Sequence, residues 1–127
     1  MRESREGIAL VSAARTATTS SENLSNPGVG ARLTIYIDVT VDPASASVTP
    51  SLLAYDRASG KYDTIWTAAA AVAAVAQTMY ALGPGLLVSV KEDYTDAGNV
   101  IIPATFIIRM TAADGDSLTY SIGYSLS

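Results

Sequence analysis

Residues 52–76, "LLAYDRASGKYDTIWTAAAAVAAVA", join two kinds of sequence that favour different structures. In the first half, Leu53 and Tyr55 fall on one face before a charged turn, and Tyr62, Thr64 and Trp66 share a face after it. That alternation predicts a hairpin with its turn at 56–61, where Gly60 is free to take a positive φ. The second half is alanine and valine, and propensity alone would make it a helix. Its side chains are small, however, and bury too little area to hold an isolated short helix. An irregular strand and turn is the better expectation, with a short helix as the rival. If that expectation holds, nothing else in the chain argues against an all-β fold.

Working outward, "RLTIYIDVTVD" places Leu33, Ile35, Ile37, Val39 and Val41 on one face and Thr34, Tyr36, Asp38 and Thr40 on the other. "SLTYSIGYSLS" repeats the pattern with Leu118, Tyr120, Ile122, Tyr124 and Leu126. Period-two alternation over β-branched and aromatic residues marks half-buried strands. "GLLVSVKE" and "VIIPATFIIRMTA" alternate less cleanly, as strands buried on both faces do, and Pro103 suggests an edge or a bulge. "SNPGVG" and "VDPASASVTP" read as loops, and "TDAGNV" and "ADGDS" as turns joining strands, with Asp114-Gly115 a hairpin signal. The polar stretch "RTATTSSENLSNPG" reads as an extended arm or a loop crossing the sandwich. The fold class expected is all-β: a single-domain antiparallel β-sandwich, jelly-roll-like or Ig-like. Residues 1–20 are expected as an N-terminal arm able to pair as an edge strand, and residues 21–127 as the sandwich.

The bulk properties narrow the function. A chain of 127 residues holds one core, and 49% hydrophobic against 16% charged residues excludes disorder for most of it. A net charge of −4 with scattered cations argues against nucleic acid as a partner. There is no Cys and no His, so thiolate metal sites and the Ser-His-Asp arrangement cannot be built. The start, "MRESREGIALVSAARTA", has a signal-like outline, but Glu and Arg alternate in it and Ser12 interrupts a short apolar stretch. The longest apolar run, 68–76, falls far below the roughly 20 residues that span a bilayer. A soluble protein made in the cytoplasm, with no membrane partner, is expected.

Asp114-Gly115-Asp116 lacks the further ligands of a calcium loop. "EDYTD" gathers acids in what reads as a solvated loop, and Gly83-Pro84-Gly85 lacks the Lys and Ser/Thr of a phosphate loop. No catalytic, cofactor-binding or metal-binding residue is assigned, no cofactor is expected, and the chain is read as a non-enzyme. The aromatic residues offer contact surface instead. Tyr36 and Tyr62 are the tyrosines expected to be exposed, and Arg57, Lys61 and Tyr62 form a hairpin tip that either meets a partner or is simply solvated.

The order of pieces resembles a group of small virion structural proteins of tailed bacteriophages. The likeness covers about residues 11–126 and is carried by Arg15-Thr16-Ala17-Thr18, Asp38-Val39-Thr40, the turn 56–62, Gly83-Pro84-Gly85 and the closing "SLTYSIG" at 117–123. In that family the strand before the charged turn usually ends in Lys-Asp, whereas here it ends in Tyr55-Asp56. The resemblance implies a β-rich head decoration (cement) protein that binds the major capsid protein on the outer head surface of the virion. It also implies a homo-oligomer, with a trimer favoured, and a strand–turn–strand path over 68–82. Arg15, Tyr36, Arg57, Lys61 and Tyr62 are the expected partner contacts. The competing reading is a tail, neck or head-surface module that recognises a host glycan or receptor.

Overall fold

The computed structural model describes residues 5–26, 32–85 and 94–127. They form ten strands and no helix: β1 (Arg5–Arg15), β2 (Thr19–Ser20), β3 (Leu24–Ser25), β4 (Leu33–Val41), β5 (Val48–Asp56), β6 (Lys61–Thr67), β7 (Gln77–Gly83), β8 (Asp96–Asn99), β9 (Thr105–Ala112) and β10 (Leu118–Leu126). Sheet A has the order β1-β10-β4-β7-β8, and sheet B has β2-β9-β5-β6 with β3 beside β2 on the same edge of β9. The pairs β1·β10, β2·β9, β4·β7 and β5·β6 are nested one inside another in the sequence and are all antiparallel. Nesting of this kind, dealt alternately into two sheets, is the jelly-roll arrangement, so of the two expected topologies the Ig-like one is set aside.

Both sheets turn an apolar face inward. Leu33, Ile35, Ile37 and Val39 of β4, Tyr80 and Leu82 of β7, and Leu118, Tyr120, Ile122 and Leu126 of β10 meet Leu52 of β5 and Phe106, Ile108 and Met110 of β9. Two aromatic contacts tie the layers edge to face: Trp66 on Tyr80 at 5.5 Å and Phe106 on Tyr124 at 6.5 Å between centroids. Strand β9 is buried on both sides, as its run of apolar residues suggested. Its outward Ile107 is 3% exposed beside Leu53, also buried, on β5.

The alanine-rich run is neither helix nor regular strand. It carries the chain from β6 in sheet B to β7 in sheet A, making single ties to the strands it passes. Ala68 N–H donates to the Pro50 carbonyl at 2.9 Å, Val72 and Val48 exchange both backbone hydrogen bonds, and Val39 N–H donates to the Ala76 carbonyl. Ala68 and Val72 plug the core, while Val75 is 60% exposed. Small side chains suit a segment lying against neighbouring backbone.

The polar stretch 18–26 has a defined role along the open edge of β9. Ser21 N–H donates to the Ile108 carbonyl, and its hydroxyl accepts from Ile108 N–H at 3.0 Å. The Thr18 hydroxyl accepts from Ala112 N–H, and Asn26 N–H reaches the Ala104 carbonyl. Side-chain oxygens thus stand in for strand backbone and satisfy an edge that would otherwise pair with another chain.

Several expectations need correction. "TDAGNV" is not a turn: its residues 96–99 are β8, which pairs in parallel with β7, the one parallel pair among the described strands. "ADGDS" does join two strands, but β9 and β10 lie in different sheets, so it is an arch between layers and not a hairpin. Residues 100–104 precede β9 outside any strand, so Pro103 marks neither an edge strand nor a bulge. Val41, expected inside, is 50% exposed: Thr119 pairs with Val41 but Tyr120 with Val39, so Thr40 bulges and Val41 turns outward. "GLLVSVKE", apart from Gly85, lies outside the described residues, as does most of "SNPGVG".

Tyr80 and Tyr120 are 2% and 0% exposed, and burial pushes both phenols above their ordinary 10.0. The stability this contributes is complete below pH 10. It is lost as the pH rises through 10 towards the raised values, because the unfolded chain gives up protons that the folded one keeps. Stability to denaturant is therefore expected to fall above about pH 10. The double substitution Tyr80→Phe, Tyr120→Phe should flatten that fall, and an unchanged alkaline limb would show that other groups govern it.

Candidate functional site

The outward face of sheet A presents the best-built surface. Ile8, Gly123, Tyr36 and Met79 are register partners on β1, β10, β4 and β7 and form one row across four strands. Ile8 is 71% exposed and Tyr36 is 43% exposed. Gly123 leaves room in the row: a Cβ there would stand 3.9 Å from the Tyr36 ring. Two shallow hollows lie along one side of the row, one at its β1/β10 half and one at its β4/β7 half. One, of about 280 Å³, is lined by Ile8, Leu10, Val11, Ser12, Ser121 and their neighbours on β10. The other, of about 90 Å³, is lined by Tyr36, Asp38, Gln77, Met79 and adjoining residues. By register, Ser121 and Ser125 add hydroxyls to this face, and Glu6 and Asp38 add its charges, while Thr34 on the same side of β4 is buried. A flat, charge-poor patch with an aromatic at its centre suits contact with protein better than chemistry. Among the described residues no group of three or more His, Cys, Asp or Glu is placed to hold a metal ion.

The hairpin tip is a second surface, and it is locally rigid. Gly60 takes φ +73° and its N–H donates to the Asp56 carbonyl at 2.8 Å. The Asp56 carboxylate accepts from the Ser59 hydroxyl and the Ala58 N–H, which together hold its carboxyl below the usual range. Arg57 and Lys61 are exposed beside it. Tyr62 is half-buried: its ring lies 5.1 Å from that of Tyr55, and its hydroxyl donates to the Asn23 side-chain oxygen.

The five expected contact residues thus fall in three places. Arg57, Lys61 and Tyr62 share the tip, Tyr36 sits on sheet A, and Arg15 lies at the end of β1. The Arg15 guanidinium is engaged within the chain. It donates to the carbonyls of Tyr120, at 2.6 Å, Val11 and Ala13, and stands 4.6 Å from the Tyr120 ring centroid. The face assignment in the hairpin also changes. Leu52 pairs with Trp66 but Leu53 with Thr64, so Ile65 bulges. Tyr62 and Thr64 therefore lie with Leu53 and Tyr55 on the outward face of sheet B, and Trp66 turns to the core. Sequence reasoning missed Ile8, Val11 and Met79 as surface residues. The signal was present in the apolar start of β1, but it carries no regular period.

No protein-family model matches the chain, and a search of curated proteins finds no match. Among solved structures, 97% of the chain aligns with 31% of a chain in a structure of the infectious bursal disease virus Gx strain, at a TM-score of 0.47 and 10% identity. The protein therefore spans about a third of the length of that chain.

Proposed function

We propose that the protein is a non-enzymatic structural protein of a tailed-phage virion, a decoration or cement protein. It binds the outer head surface and stabilises contacts between capsomers of the major capsid protein. The observation that supports this reading most is the outward face of sheet A, where Ile8 and Tyr36 stand exposed in a row with two hollows along one side of it. Jelly rolls serve as capsid domains and as lectins, so the fold by itself does not choose between assembly and glycan binding. A charge-poor face of this breadth favours a flat protein partner. The assembled form in this reading is a small homo-oligomer, a trimer at a local threefold axis.

The test is to mix the purified protein with expanded phage shells that lack it, pellet them and count copies per shell. Saturation at a large, symmetry-related number, with shells harder to break, is the expected result. A handful of copies at one vertex, or none, would place the protein elsewhere in the virion or outside it. Tyr36→Ala is expected to weaken shell binding about 30-fold, as loss of a central aromatic anchor does, with little change in melting temperature because the side chain is exposed. Retained affinity would remove this face from the contact. The second reading, a receptor- or glycan-binding module, draws on the Tyr55 and Tyr62 rings beside Asn23, Arg57 and Lys61. Binding of isolated saccharide that Tyr55→Ala abolishes would favour it.

A further inference from the structure

Strand β1 is long and closely paired with β10 but shallowly buried, with only Ala9 and Leu10 packed against the core. None of its described side chains, residues 6–15, is fully buried, whereas β4, β5, β7, β9 and β10 each bury four or more. It pairs with β10 alone, and its register breaks twice, between Ile8 and Leu10 and between Leu10 and Ala13. Val11, like Ile8, is mostly exposed at 66%. Only the exposed residues 16–18 link β1 in sheet A to β2 in sheet B.

Its partner is the opposite case. Tyr120 and Ile122 of β10 are 0% exposed, so the edge that β1 covers belongs to the core and must be filled by some strand. That edge is selective. Opposite Tyr124 it favours a residue without a side chain: a Cβ on Gly7 would lie 2.6 Å from the Tyr124 hydroxyl and 2.7 Å from its ring, so the tyrosine would have to shift. At the other end, opposite Leu118, it takes an arginine able to reach the Tyr120 carbonyl and ring. Gly7 and Arg15, with the two bulges between them, give β1 both features.

We infer that β1 is an exchangeable strand: in the assembled protein the β10 edge of one copy is filled by β1 of a second copy. The register and the Arg15 contacts are those seen within the chain, and the 16–18 link opens to span the two copies. Exchange keeps every β1·β10 contact, so it joins copies without a new interface having to be built. A short connecting link is the usual hinge of such swaps. The inference does not depend on shell binding and is tested without shells.

The chain has no cysteine, so introduced thiols report without background. Glu6 and Ser125 are register partners across β1 and β10. Glu6→Cys is placed in one full-length chain and Ser125→Cys in another of different tagged size; the two are mixed, oxidised and run on a non-reducing gel. A disulfide-linked species of mixed size is expected, together with chain-to-chain links in the double variant Glu6→Cys, Ser125→Cys. Arg15→Ala should speed the appearance of the mixed species at least tenfold. If the double variant closes only within single chains and the mixture stays unlinked, the inference is overturned. Should that pair not close in any form, Ala14→Cys with Thr119→Cys is read the same way, and failure of both pairs to link also overturns it, because β1 would not then occupy the β10 edge.

Discussion

Phe106→Ala is expected to lower the unfolding free energy by about 3–5 kcal/mol, the range for truncating a buried phenylalanine. Phe106 is 0% exposed and lies on the inward face of β9, in the centre of sheet B between β5 and the covering strands β2 and β3. Its ring meets that of Tyr124 edge to face across the sandwich, so truncation opens a void where the two layers are tied. Little can collapse into it, since Leu24 and Ala54 beside it in register are held by backbone pairing. For a domain of this size the loss corresponds to a fall in melting temperature on the order of 10–20 °C. Denaturant titration of the two proteins measures it. A change below about 1 kcal/mol, against the size set by the buried-ring precedent, would mean that sheet B does not pack on sheet A through this strand.

How much of this was legible in the sequence follows from where alternation survives. Leu33 to Val39 and Leu118 to Leu126 kept a strict period of two, and both strands lie where that period puts them. The hairpin 52–67 was readable too, because its turn chemistry is local: an aspartate accepting from the following residues, and a glycine at positive φ. What the sequence hid are the bulges. One extra residue reverses the facing of everything after it. Thr40 does this to Val41, Ile65 to Trp66, and two irregularities in β1 turn an eleven-residue strand into what looks like a short aperiodic apolar patch. The parallel strand β8 was hidden for another reason. Its four residues, Asp96 to Asn99, have turn composition, and only their neighbours along β7 make them a strand. The centre of the candidate face was legible, since Tyr36 stands on the polar side of a regular strand. The rest of the row comes from β1, β10 and β7, and only register brings it together.

Trp66→Ala, compared with Ile65→Ala, tests the bulge that decides the facing of β6. Trp66 pairs with Leu52 and lies edge to face on Tyr80, so its loss should cost about 3 kcal/mol, the low end for tryptophan because part of the ring remains exposed. Ile65, the bulged residue, is 36% exposed and should cost less than about 1 kcal/mol. The opposite ranking would put Ile65 inside and return Trp66 to the face of Tyr62 and Thr64. Gly98 supplies an independent check on the same geometry. A Cβ there would lie 2.6 Å from the Trp66 ring and 2.7 Å from Leu82, so Gly98→Ala must displace both of them. Removing Trp66 first frees half of that contact. Gly98→Ala should therefore cost less in the Trp66→Ala background than alone, by about 1 kcal/mol in a double-mutant cycle. Strict additivity would mean that the indole does not lie over β8, and the closure of sheet B onto the parallel edge of sheet A would have to be redrawn.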